Sequence, residues 1–234
     1  MTTYVISGGI KQGSAERLVV AAAMAPAVQT VQAWRFKVRP GLIEVEADPA
    51  RFRTMQDPHA RSLHLGCGAA LLNLRLAAAQ LGREPVLRLS PDRSRPMLLA
   101  TVRLAGPHRT TRLERALYAA TMGPVLWRQS YGDERPAVPV VNELAHAARL
   151  EGAALHLLPA GPAVLTTRGD GPDEWLRAGQ ALQRVTVTGA TRAVSASYLY
   201  DVADIPGVES ILEHGDTPQV LVKLARTAIS GTRP

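Results

Sequence analysis

The chain is poor in cysteine, lysine and aromatic residues, and each shortage closes off a class of function. Cys67 is the single cysteine in 234 residues, which excludes an internal disulfide and gives no sign of an oxidising compartment. No apolar run reaches the roughly 18 residues that a membrane helix needs. The opening Met1-Thr2-Thr3-Tyr4 lacks the charged and apolar regions of a secretory leader. The expectation is a cytoplasmic protein with no membrane partner. Six histidines, His59, His64, His108, His146, His156 and His214, include no i,i+4 pair and no carboxylate at metal spacing, so no metal site is expected. No serine lies in a G-x-S-x-G elbow, which removes the main argument for a hydrolase.

Lysine occurs at Lys11, Lys37 and Lys223, so arginine supplies 24 of the 27 basic residues behind a net charge of +7. Eight arginines fall between Arg83 and Arg115, against Glu84, Asp92 and Glu114. Nucleic-acid binding would interleave such charge with stacking aromatics or set it on a recognition helix. Aromatics are only 4% of this chain, and the arginines are spread over Leu-rich segments with Tyr118 just beyond. A solvated arginine-rich face is therefore expected, without a nucleic-acid partner.

What is present is an ordered run of helices and strands. Ser14 is a good N-cap for a helix through Met24, closed by Pro26. Trp34, Phe36 and Val38 alternate with Arg35, Lys37 and Arg39 as a strand buried on one face, and Leu42–Glu46 returns after the Pro40-Gly41 turn. A long apolar helix is predicted from about His59 to Leu81, with Gly82 as its stop. Strands over Pro85–Leu89 and Met97–Leu104 and a helix over Thr110–Met122 follow, and Gly123–Pro139 reads as a linker. The second half repeats this order. A helix over Val140–Leu150 precedes strands near Ala154–Leu158 and Ala163–Thr166, a long helix over Pro172–Ala190, a short segment at Gly207–Leu212 and a strand at Gln219–Leu224. Gly68-Ala69-Ala70-Leu71 lines up with Gly179-Gln180-Ala181-Leu182 between the two long helices. The prediction is an α+β fold with an internal pseudo-two-fold. Residues 1–13 form a lead and 14–234 a single domain, with half-repeats at 14–122 and 139–234.

Three local motifs lead nowhere. Gly66-Cys67-Gly68-Ala69-Ala70-Leu71 lacks the third glycine and the acidic partner of a dinucleotide fingerprint, so close helix packing explains it. Thr3–Ile6 followed by Ser7-Gly8-Gly9-Ile10-Lys11-Gln12-Gly13 suggests a strand and a phosphate-cradling loop, but its spacing is not that of a Walker loop and a flexible lead is the simpler expectation. Cys67 lies on an apolar stripe and reads as an inert core thiol.

A longer pattern does lead somewhere. Met24-Ala25-Pro26-Ala27-Val28-Gln29-Thr30-Val31-Gln32-Ala33-Trp34-Arg35-Phe36 resembles the A-P-S-x-x-N-x-Q-P-W-R-F stretch of nitroreductase-like proteins. Asp57-Pro58-His59-Ala60-Arg61 and Cys67-Gly68-Ala69-Ala70-Leu71-Leu72-Asn73-Leu74-Arg75-Leu76-Ala77 resemble the D-P-x-G-R and C-G-A-A-L-x-N-L-R-L-A blocks of the fused, pseudo-dimeric Acg branch. Val164–Thr167, Asp173–Val185 and Pro218–Leu224 follow in the order of that branch. The resemblance implies a nitroreductase-like α+β fold, an FMN cofactor, and NAD(P)H as electron donor to a small-molecule substrate or flavin sequestration. It also implies a homodimer or pairing with a related subunit. The positions it marks for the cofactor are Thr30, Gln32, Trp34, Arg128, Arg192, Ala193, Lys223, Arg226 and Arg233, and it marks no catalytic acid or base.

The sequence departs from the pattern at the same places. The serine, asparagine and proline of the first stretch are Ala27, Thr30 and Ala33, and the glycine beside the flavin ring is Ala193. The stretch between Leu158 and Ala163 is much shorter than in Acg-type proteins. An alternative is therefore a fold without flavin, acting as a cofactor-free cyclase or isomerase or as a non-catalytic partner subunit. Tyr131, Tyr198, Tyr200 and Asp201 would then line the vacated pocket.

Overall fold

A computed structural model describes residues 4–6, 12–25, 32–52, 60–123, 134–159, 161–199, 208 and 211–227. The first half contains β1 (Tyr4–Ile6), α1 (Gln12–Ala23), β2 (Trp34–Arg39), β3 (Leu42–Ala47), α2 (Pro49–Phe52), α3 (Arg61–Gln80), β4 (Arg83–Leu89), β5 (Leu98–Pro107) and α4 (Arg112–Met122). The second contains α5 (Val138–Arg149), β6 (Ala154–Leu157), β7 (Ala163–Arg168), α6 (Pro172–Ala190), β8 (Val194–Leu199) and β9 (Asp216–Arg226). The fold is α+β, with largely antiparallel sheets as predicted.

The repeat is visible in the strand order. One sheet runs β1-β2-β3-β5-β4 and the other β6-β7-β9-β8. With β1 set aside, the two orders are the same, each built from a hairpin, a long helix and a second pair. β1 is the addition: it lies in the lead and pairs in parallel with β2 through Tyr4↔Phe36 to Ile6↔Val38. Between β6 and β7 the Gly161 amide donates to the Leu158 carbonyl and the Leu158 amide to that of Pro162. Gly161 sits at φ 137, in the region that favours glycine.

Local chemistry explains most element ends. The alternation in β2 buries Trp34, Phe36 and Val38 on the helix-facing side. Gly82, at φ 72, ends α3 as the sequence predicts. Thr111 caps α4 in a capping box with Glu114, its hydroxyl accepting from the Glu114 amide. The start of α1 differs from expectation. The helix begins at Gln12, so Ser14 lies in its first turn instead of capping it.

α3 and α6 form the centre of the molecule. Cβ atoms are missing at Gly68 and Gly179 because the two backbones meet there. A Cβ on Gly68 would overlap the Leu176 carbonyl and lie 2.9 Å from the Gly179 Cα. A Cβ on Gly179 would overlap the Leu65 carbonyl and lie 3.0 Å from the Gly68 Cα. Each glycine thus strikes the carbonyl three residues before the other, the reciprocal contact a two-fold axis requires. His64 and Trp175, one turn earlier on each helix, meet edge to face at 5.5 Å. Three apolar clusters surround this crossing, one per sheet and a third joining Leu72 and Leu76 to Leu117 and Val187. Among the described residues no helix is long and apolar enough to cross a membrane.

Candidate functional site

The cofactor positions marked by the resemblance fall into two groups, while Thr30, Arg128 and Arg233 lie outside the described residues. Gln32 and Trp34 form the first group, where α1 hands over to β2. The Gln32 side-chain amide donates to the carbonyls of Ala23 at 2.8 Å and Ala25 at 3.3 Å, at the last turn of α1. Its own carbonyl accepts from Arg51 Nη1 at 3.2 Å. Gln32 therefore fixes the angle between helix and strand. Trp34 is 1% exposed, and its indole Nε1 is buried with no hydrogen-bond partner among the described residues. An orphaned buried donor is uncommon and costs about 1–3 kcal/mol unless something accepts from it.

Arg192, Ala193, Lys223 and Arg226 form the second group, around the turn from α6 into β8 and the end of β9. Ala193 sits at φ 53, in the left-handed region. Its carbonyl accepts from the Thr227 amide at 2.8 Å, which ties the turn to β9. The backbone thus keeps the form a glycine would adopt freely, although an alanine occupies it. Arg192 donates two bonds of 2.8 Å to Glu143 on α5. That pairing holds the Glu143 carboxyl below its usual range and raises the guanidinium of Arg192. Arg226 Nη1 donates to Glu134 at 2.8 Å. Lys223 is exposed on β9 opposite Ser197. Arg192 and Arg226 are thus each oriented by a carboxylate, and Lys223 lies three residues before Arg226 on β9.

Sequence reasoning did not assign a role to the polar bridge between the halves. Arg61, the first residue of α3, donates to the Pro218 and Gln219 carbonyls at 2.9 and 2.8 Å and to Gln219 Oε1 at 2.8 Å. Gln219 is fully buried and donates to Thr167 Oγ1 at 2.9 Å. Trp175 Nε1 donates to Asp170 nearby. His64 Nδ1 lies 2.6 Å from the Ala60 carbonyl, an arrangement that puts the proton on that nitrogen. Both Arg61 and Gln219 stand inside the matching sequence blocks, and that was their only signal. Of the tyrosines and aspartate set aside for a vacated pocket, Tyr198 is half-buried against the second core, while Tyr131, Tyr200 and Asp201 lie outside the described residues. Cys67 is fully buried and burial pushes its thiol well up, so no thiolate forms there.

No protein-family model matches the chain. Over 81 residues it is 35% identical to two Mycobacterium tuberculosis proteins, "Putative NAD(P)H nitroreductase MT3217" of strain CDC 1551 / Oshkosh and "Putative NAD(P)H nitroreductase Rv3131" of strain H37Rv. The match covers 35% of this chain and spans 24% of the length of either relative. It is weak homology to nitroreductase-like proteins.

Proposed function

We propose that the protein is an FMN-binding, nitroreductase-like oxidoreductase of the fused Acg-type branch, with its two halves standing in for the two subunits of a dimer. The 81-residue similarity to proteins named for NAD(P)H nitroreductase activity carries this reading. The matching strand orders and the reciprocal glycine crossing support the fused architecture.

The residues present suit the cofactor in three respects. Arg226, Lys223 and Arg192 supply cations for a phosphate, and a guanidinium held by a carboxylate keeps further N–H groups for an anion. Ala193 keeps the left-handed turn at the position that the resemblance marks beside the ring, with a methyl where the pattern has glycine. The Trp34 indole has no acceptor among the described residues, which leaves its N–H available to a ligand. Bound FMN would supply two-electron chemistry, taking a hydride from NAD(P)H and passing it to a small-molecule substrate. The chain's own contribution is then positioning and exclusion of water. Arg61 and Gln219 hold the start of α3 against β9, and Gln32 sets the α1–β2 junction. No acid or base is required of the protein. In this reading the protein works in the cytoplasm, as a homodimer or paired with a related subunit.

Purified protein should carry flavin absorbance, or acquire it with about one FMN per chain after incubation and desalting. A preparation that stays colourless and gains no flavin overturns the proposal. It would leave the flavin-free reading in its place.

A further inference from the structure

The outer face of the first sheet is built in two layers of opposite charge. Alternation along β2, β3 and β5 turns Phe36, Val45 and Val102 inward, into the core shared with α1 and α3. The opposite face carries Lys37, Glu44, Thr101 and Arg88 in one row across four strands, and Arg39, Leu42, Arg103 and Val86 in the next. Arg35 stands opposite Glu46 in a third row. Glu84 lies at the far end of β4, past the register shift between Arg83 and Pro85.

Glu44 and Glu46 are buried at the base of this face. Arg95, from the β4–β5 connection, donates to both at 2.8 Å. Arg39 pairs with Glu44 at 3.3 Å, and Lys37 and Arg35 pair with Glu46 at 2.8 and 3.4 Å. The side chains of these four cations are 38–56% exposed, so the carboxylates are covered and the outer layer is basic. Arg88 and Arg103 are exposed as well and make no ion pair among the described residues. Six cations thus stand over two carboxylates, leaving four positive charges in excess. Solvation alone does not require this layering. Carboxylates kept beneath the cations are costly to desolvate, and their effect is to fix where the charged ends above them sit.

We infer that this face docks an extended acidic segment of a partner protein. Arg35, Lys37 and Arg39 repeat at every second residue of β2, a spacing of about 6.6–6.8 Å. Alternate carboxylates along an extended acidic chain have the same spacing. The unpaired Arg88 and Arg103 offer complete guanidinium forks to such carboxylates. A nucleic acid fits less well, because the outward positions of β2–β5 hold no aromatic side chain for bases to stack on, and Trp34 and Phe36 point inward. A second copy of the chain lacks the complementary charge, since its net charge is +7 and its acids run no longer than pairs such as Asp173-Glu174. The inference does not rest on flavin binding.

Fluorescence anisotropy of a labelled decaglutamate titrated with the full chain tests it. Binding should be saturable in low salt and weaken as salt is raised. The double variant Arg88→Gln, Arg103→Gln removes two cations that hold nothing in the fold, so it should keep the thermal melting point and weaken binding about ten-fold. The double variant Arg112→Gln, Arg149→Gln removes the same charge from exposed positions on α4 and α5, and should weaken binding less than about two-fold. Absence of saturable binding, or equal losses in the two double variants, would overturn the inference. So would an oligothymidylate of equal charge that binds more tightly than the peptide and is weakened by the Arg88, Arg103 variant alone, because the face would then belong to a polynucleotide.

Discussion

At the scale of single residues, Ala193 and Glu46 show strain and compensation. An alanine in the left-handed region costs about 1–2 kcal/mol relative to the right-handed helix, a penalty glycine escapes. Glycine also loosens the unfolded chain, which offsets about 0.4–1 kcal/mol of the gain. Ala193→Gly should therefore stabilise the protein by about 0.5 kcal/mol in urea denaturation, and a loss of stability would show that the Cβ packs usefully. Glu44 and Glu46 are each 6% exposed on the outer face of the first sheet, roofed by Arg35, Lys37, Arg39 and Arg95. Hydrogen bonding from Arg95 holds the Glu44 carboxyl below its ordinary 4.5. Burial alone would raise Glu46, and the hydrogen bonds from Lys37 and Arg95 reverse that, leaving it also lowered. With the folded-state values depressed, these groups contribute stability that is complete above about pH 4.5 and is lost as the pH falls through the folded values. Arg95→Ala should cost most stability at pH 7, where both carboxylates are ionised, and less as they protonate, while shifting the acid-unfolding midpoint upward. An unmoved acid midpoint would assign the acid sensitivity to other carboxylates.

At the scale of elements, the α3–α6 crossing leaves no room for a side chain at either glycine. Gly68→Ala and Gly179→Ala each place a methyl against backbone, which cannot rotate away, and each should cost about 3 kcal/mol, at the upper end for overpacking. The axis relating the two sites makes the expected costs similar, and the double variant should cost less than their sum because one separation relieves both clashes. Chemical denaturation of the three variants checks this, and a harmless Gly68→Ala would mean the helices do not touch there. The matching glycines were legible in the sequence as an alignment, and their contact was not. Alternation identified β2 directly, because Trp34, Phe36 and Val38 are buried and Arg35 and Lys37 are only partly so. Ser14 misled because a good capping residue can also lie inside a first turn, as it does in α1. β1 carried only a weak strand signal, since three residues in a parallel pair depend on a partner about thirty positions away. The candidate cofactor positions were legible only through their place in a family pattern. Nothing in the sequence announces that Arg192 and Arg226 pair with Glu143 and Glu134, or that Gln32 reaches back to the end of α1.

At the scale of the whole molecule, the two halves cannot be parted without stripping both cores. Leu65 and Leu176 each pack into the cluster of the opposite half, and Leu72, Leu76, Leu117 and Val187 make a cluster that neither half completes. The Arg75–Glu151–Arg184 clamp and the Arg61–Gln219 bridge fasten the same junction at separate points. Removing either half would leave buried charge unpaired, a loss of about 3–5 kcal/mol at the clamp alone. We therefore propose one cooperative unit, whatever cofactor it holds. Trp34 lies in the first core, and Trp175, at the α6 start, meets His64 of α3, so one reports on the first half and the other on the junction with the second. In Trp127→Phe backgrounds, Trp175→Phe leaves Trp34 as the reporter and Trp34→Phe leaves Trp175. Fluorescence and far-ultraviolet circular dichroism should give coincident urea midpoints within each variant, and two separated steps would show independently folding halves. Glu151→Gln should lower the midpoint by the equivalent of about 3 kcal/mol and keep the transition single, because the glycine crossing and shared cluster still couple the halves. If the transition instead splits, the buried carboxylate is the main fastening between the two halves, and the packing of α3 on α6 is secondary to it.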